Sequence, residues 1–225
     1  MQVCLSALHC GKALFASVIK KPIGEQVMRN IRLGLVLLSL MGVVFSTSAQ
    51  PVTLVLPPEG GTFRVTGTSS LHDWECRVTN WRGKVTLERP AELASLRATE
   101  VIVPVAAIAC KNGTMDGKMR EALKAETHPE IRFELTRVDS IVAQSSGYRL
   151  TVEGRLTIAG TTRPVTLQVS AVPAGEGWRF RGQQALSMKA FGIRPPTAML
   201  GTLRTGDEVV VHFDVLARPA TASGL

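Results

Sequence analysis

The pattern of this sequence predicts an all-β fold, an eight-stranded antiparallel barrel with one short helix between strands 3 and 4. Three observations carry that expectation. Stretches in which apolar and polar residues alternate recur eight times at regular spacing, as half-buried strands require, because successive side chains of a strand point to opposite faces. Only one stretch has helical periodicity. The run from Gly154 to Val169 reads as two alternating strands folded about Gly160-Thr161-Thr162. Consecutive antiparallel strands in this number close into an up-and-down barrel, whose interior holds side chains or one slim ligand. A two-sheet sandwich shares the periodicity and is the alternative fold; its functional counterpart is a packed protein-interaction module without a ligand.

Residues 1–49 are not expected to belong to the fold. Arg29 and Arg32 precede an apolar run over 33–38, continued over 40–45, and Thr47-Ser48-Ala49 offers small residues for cleavage before Gln50. This is the pattern of a signal peptide, and its apolar run is shorter than the ~20 residues that span a bilayer. Met28 stands where such a signal begins, so residues 1–27 read as an upstream extension and Met28 as the start. The mature domain is then 50–225, in the periplasm or secreted.

A short Pro-containing lead, 50–61, precedes the first strand at 62–67, with Phe63 and Val65 on one face. The second strand runs over 74–87, where Trp74, Cys76 and Val78 alternate and a change of phase at Asn80-Trp81-Arg82-Gly83 predicts a bulge. The third spans 96–108. Next comes the helix, 114–125, with Met115, Met119, Ala122 and Leu123 on one face and charges on the other, stopped before Pro129. Strands over 130–138, 148–158, 163–172, 178–186 and 208–217 complete the count.

Composition narrows the function. The whole chain carries a formal charge of +8, but without residues 1–49 there are 21 basic against 17 acidic residues. They are scattered singly, with no basic run and no interleaved aromatics, so nucleic-acid binding is not expected. There is no Gly-x-Ser-x-Gly elbow, His-Glu-x-x-His, P-loop or dinucleotide glycine pattern, and the chain is not expected to be an enzyme. His72, His128 and His212 lack metal-ligand spacing, so no metal and no cofactor is expected. Cys76 and Cys110 remain as an even pair in an exported chain. A hairpin centred near Leu93 brings them opposite each other, predicting a disulfide; the alternative is two unpaired thiols with Cys76 in the core.

Four segments carry a resemblance to a known family. They are Gly67-Thr68-Ser69-Ser70-Leu71-His72-Asp73-Trp74; His128-Pro129-Glu130-Ile131-Arg132-Phe133; the double strand Gly154 to Val169; and Phe191-Gly192-Ile193 with Gly206-Asp207-Glu208-Val209. In this order and spacing the sequence resembles the YceI family, secreted lipocalin-like proteins that bind polyisoprenoid lipids. The resemblance implies an eight-stranded barrel around an apolar channel that takes an isoprenoid tail, such as that of a quinone or polyprenyl compound. The candidate channel residues are Phe63, Val65, Phe133, Leu135, Leu150 and Val152 from the earlier strands, and Val169, Phe180, Val211 and Phe213 from the later ones. Trp74 and Phe191 join them, with Met115, Met119 and Leu123 closing one end. His72 is a candidate polar contact, although a role in a turn or strand start is the commoner one for a residue so placed. The expected partners are the lipid and, transiently, a membrane surface.

Overall fold

A strand with one apolar face must hide that face from water, and the eight stretches do so by closing into a ring. The computed structural model describes residues 50–111, 113–198 and 202–220, so the expected leader over 1–49 lies outside the described residues. Twelve strand segments form the wall: β1 (Val52–Val55), β2 (Thr62–Ser69), β3 (Trp74–Val78), β4 (Arg82–Leu87), β5 (Leu96–Pro104), β6 (Ile108–Ala109), β7 (Glu130–Gln144), β8 (Gly147–Ile158), β9 (Thr161–Ala174), β10 (Gly177–Ser187), β11 (Thr197–Ala198) and β12 (Leu203–Pro219).

All but β11, which pairs only with the start of β12, merge into eight strands. β1 and β2 run on as one strand along β12, with Val55 opposite Arg218 and Val65 opposite Val211. β3 and β4 together lie beside them, and β5 and β6 form the third strand. From there each strand pairs with the next through β7, β8, β9, β10 and β12, and β12 returns to β2 and β1. The ring is closed and antiparallel throughout, which excludes the two-sheet sandwich.

Several elements differ from the sequence expectation. The lead over 50–61 is not plain coil: β1 lies within it and Leu54 is fully buried. The second strand does not run unbroken over 74–87 with a bulge, but breaks between β3 and β4, where Trp81 turns inward and meets the Phe63 ring edge-on at 5.0 Å. The third breaks likewise at a 3₁₀ turn, Val105–Ala107. The breaks face each other, since the Thr79 amide donates to the Ala107 carbonyl (2.8 Å), and the wall bends there as a unit. β7 and β12 extend well past the expected 130–138 and 208–217. The hairpin turn falls at Ala159-Gly160 rather than Gly-Thr-Thr, both residues having positive φ (49° and 81°), as a two-residue type I′ turn needs.

The helix α1, Gly113–Ala122, lies between the third and fourth strands and stops short of the expected Ala125. Lys124 takes a left-handed φ of 54°. Its amide donates to the Glu121 carbonyl and that of Ala125 to the Arg120 carbonyl, the paired bonds of a Schellman end. The disulfide Cys76–Cys110 joins β3 to the residue after β6, with Cα atoms 4.1 Å apart.

Glycines let the wall bend tightly around its rings. A Cβ on Gly67 would stand 2.4 Å from the Trp74 ring, one on Gly154 2.3 Å from Phe133, and one on Gly182 2.5 Å from Phe213. Each glycine therefore carries a cross-strand aromatic laid over it, which restores the apolar contact the missing side chain gives up.

Candidate functional site

Pleating sends odd-numbered residues of β12 and even-numbered residues of β10 inward, so the alternation seen in the sequence becomes the inner wall of a lumen. The lumen has two chambers. The inner one measures about 220 Å³ and is walled by Leu, Ile, Val and Phe, with Thr99 and Gln184 as its polar exceptions. Gln184 is partly satisfied, donating from Nε2 to the Ala185 carbonyl at 2.9 Å.

The mouth chamber is larger, about 390 Å³, and draws much of its lining from pieces that are not regular strand. α1 supplies Met115, Met119 and Ala122; the turn after β2 supplies Leu71 and His72; a 3₁₀ turn, Lys189–Phe191, supplies Phe191. Val65, Ile108, Ile131, Ile158, Leu186 and Val211 line both chambers and form the throat between them. Away from the mouth, Leu54, Leu87, Leu93 and Trp178 pack into a solid core, and the Trp178 indole N–H donates to the Pro90 carbonyl at 3.2 Å.

Phe63, Val65, Phe133, Leu135, Leu150, Val152, Val169, Phe180, Val211 and Phe213 line the inner chamber. Trp74, Met115, Met119, Leu123 and Phe191 line the mouth chamber. Lining residues not anticipated from the sequence include Leu56, Val101 and Leu167 deep inside and Ile158 and Leu186 at the throat. The signal for the last two is present in the sequence, since each continues the inward phase of a recognisable strand. Leu56 carries no such signal, because it stands beside Pro57 at the end of a segment too short to show a period.

Polar groups of the mouth are held by local bonds. His72 is exposed, with Nδ1 2.8 Å from the Asp73 carbonyl, and its amide and carbonyl are tied to the Ser69 hydroxyl, so it belongs to the turn and also borders the chamber. Asp207 anchors the Lys189–Phe191 turn by accepting from the Ser187 hydroxyl (2.7 Å) and the Lys189 amide (2.9 Å). Those bonds, the Ser187 hydroxyl first, hold its carboxyl below the usual carboxylate range. Asp116, at the start of α1, accepts the Cys110 amide at 2.6 Å and so ties the helix to the disulfide. The His128 ring lies against Gly160, and His212 has Nε2 3.1 Å from the Thr66 hydroxyl. Among the described residues no group of three or more His, Cys, Asp and Glu could hold a metal ion.

The outer wall is charged where the lumen is apolar. Lys84 and Arg132 both pair with Glu100, Arg155 with Glu134, and Arg179 and Arg181 with Asp214, across neighbouring strands. A lipid-facing barrel has the opposite polarity.

The pattern of the YceI-like domain matches residues 52–217. Among solved structures, BcnA of Burkholderia cenocepacia aligns with a TM-score of 0.59 at 17% identity, over 72% of this chain and 99% of that one. A polyisoprenoid binding domain from Saccharophagus degradans, implicated in plant cell wall breakdown, aligns with a TM-score of 0.58 at 10% identity, over 76% and 99%. The Campylobacter jejuni YCEI protein aligns at 0.51 and 18%, over 65% and 85%. At such identities the likeness is one of fold. No curated protein matches the sequence.

Proposed function

The chain belongs to the YceI-like family, and from that premise we propose that it binds or carries an isoprenoid lipid, a quinone or polyprenyl compound, with the tail in the lumen and no chemistry of its own. The observation that carries this reading is the inner chamber, a hydrocarbon-walled space that shares six lining residues with a larger mouth chamber. Burying a methylene-sized group there contributes about 0.8 kcal/mol, so even a few isoprene units outweigh the cost of ordering the tail. An empty cavity walled by Val, Leu and Phe also forgoes dispersion contacts that a hydrocarbon tail supplies. The polyisoprenoid-binding domain among the structural relatives supports the same ligand class.

Export fits this reading. The Cys76–Cys110 disulfide is of a kind that persists in oxidising compartments such as the periplasm or outside the cell. Transient contact with a membrane surface would occur at the mouth, where Leu71 stands 67% exposed beside the chamber.

Protein purified without detergent from its native host is to be extracted with organic solvent and the extract examined by mass spectrometry. A stoichiometric isoprenoid lipid is the expected result. Absence of extractable lipid, together with no uptake of a prenylated quinone or polyprenyl phosphate in titration, would falsify the reading.

A further inference from the structure

Three pieces that border the mouth chamber are held unequally. The turn after β2 is bonded to the start of β12, the Ser70 amide donating to the Arg204 carbonyl at 2.9 Å and the Arg204 amide to the Ser70 hydroxyl at 3.1 Å. The Lys189–Phe191 turn is anchored by Asp207 and by Arg163, whose Nε donates to the Ala190 carbonyl at 3.0 Å, and it seats a buried Phe191. α1, in contrast, has no fully buried residue. It lays Met115 and Met119 over the chamber, with Leu123 just past its end, and all three are only partly buried.

The helix is also weak in itself. Ten residues are too few for a helix to stand alone in water, and Gly113 and Gly117 lower its stability further because glycine loses the most backbone freedom on ordering. Packing does not demand either glycine, since a Cβ on each would meet nothing within 4 Å. Both ends of the segment are firmly moored. Ahead of α1, Cys110 is joined to Cys76 and its amide donates to Asp116. Behind it, the His128 amide donates to the Lys124 carbonyl (2.8 Å) and the Val105 amide to the Pro129 carbonyl (2.8 Å).

We propose that α1 is the lid of the lumen and opens by melting locally between these moorings, so that a lipid passes the mouth while the ring stays closed. This rests on the reading of the lumen as a lipid site and adds how that site is reached. Away from the mouth, Leu54, Leu87, Leu93 and Trp178 fill the barrel, and every strand of the ring is bonded to a neighbour on each side. Parting two strands breaks a whole ladder, whereas melting α1 breaks the bonds of one short helix, the low-stability kind of element from which lids are drawn. Flexible methionines suit a surface that must release a tail and cover it again.

The test separates helix stability from ligand contact. Detergent-free protein is mixed in stopped flow with a quinone bearing a two-isoprene tail, and quenching of tryptophan fluorescence gives its association and dissociation rates. Wild type is compared with Gly117→Ala, which strengthens the helix without a new contact, and with Arg120→Gly, which weakens it at an exposed position outside the chamber lining. Cys110→Ser removes a mooring, and circular dichroism first shows that each variant folds. Both rates should fall about fourfold in Gly117→Ala and rise about threefold in Arg120→Gly, with the dissociation constant unchanged. Both should also rise in Cys110→Ser, and α1 amides should exchange hydrogen faster than those of β8. Rates indifferent to the two helix substitutions, or α1 amides as protected as those of β8, overturn the lid and leave the lipid reading intact. A slower dissociation alone in Gly117→Ala, with tighter binding, also overturns it, marking α1 as fixed wall. Unchanged rates in Cys110→Ser overturn the mooring by the disulfide. If wild-type protein binds neither this quinone nor farnesol, the lipid reading itself fails and the lid with it.

Discussion

The inner and mouth chambers are lined in part by the same strands yet are made in different ways. Inside, nearly every lining side chain is placed by the two-residue period of a strand, and the result is a wall of hydrocarbon. At the mouth, a helix, a turn at Ser69–His72, a 3₁₀ turn and the start of β12 converge, and the lining becomes mixed and charged. Alternation alone yields a cavity for a tail of loosely specified shape. The mixed lining of the mouth depends instead on segments brought together by the closure of the ring.

The largest effect is expected from putting a charge on the inner side of this contrast. Val169→Asp places a carboxylate in the chamber at a cost of several kcal/mol unless it is neutralised. The variant should lose its lipid or melt many degrees lower, while Arg132→Ala on the outer wall keeps both fold and lipid. Circular dichroism melts and lipid extraction of the two variants decide. A folded Val169→Asp protein with its full lipid load would place the tail elsewhere.

Next in size is the covalent tie beside the mouth. The disulfide closes a loop between residues 34 apart, worth roughly 3–4 kcal/mol in the chain-entropy model. Cys110→Ser should lower stability by a few kcal/mol, and reductant should lower that of the wild type to match. If the mouth depends on this tie, the variant also exchanges lipid faster at temperatures where it remains folded.

A smaller effect is expected for Gly154→Ala. The new Cβ would lie 2.3 Å from the Phe133 ring and 2.7 Å from the Glu134 carbonyl oxygen, and the ring can turn away but the backbone cannot. A loss of about 1–3 kcal/mol follows, read as a shift of the denaturation midpoint. No change would mean that the ring does not lie over the glycine.

The smallest concerns acid. Burial pushes the Asp214 carboxyl up, but hydrogen bonds from Arg179 and Arg181 outweigh it and leave the group lowered. Glu75 is lowered by Arg77 and then Arg64, and Glu100 by Lys84. A carboxyl whose folded pKa lies below its unfolded one adds stability above the unfolded value and loses it as pH falls through the folded one. Melting temperature should therefore hold near neutrality and decline below about pH 4, with a shallower decline in Asp214→Asn. The inner chamber has no ionisable side chain in its lining, so tail retention should follow unfolding and show no separate transition.

Much of the fold and of the lumen is legible in the sequence. Phe63 and Val65, Phe133 and Leu135, or Val211 and Phe213 announce an inward face because each pair is separated by one polar residue, a signal that needs no knowledge of neighbours. The pairing of Cys76 with Cys110 follows from the same counting once the hairpin centre is placed. β1 escapes such counting because the five residues between Pro51 and Pro57 carry too short a period to read, although closure of the ring at that end requires them. The breaks at Trp81 and at Val105–Ala107 read in the sequence as one continuous strand each, with a bulge in the first, because a change of phase does not reveal that two strands bend together.

By itself, then, the sequence determined the class of fold, the number of strands, the apolar character of the interior and the place of the helix, since each is written in short-range periodicity. Tertiary structure alone decided that the lumen divides at a throat. It also decided that Trp74, Phe133 and Phe213 lie over glycines, and that Lys118 and Arg204, far apart in the chain, border one chamber. The physical reason is that period and propensity are local, whereas the position of one strand's side chain against another's depends on register and closure of the whole ring.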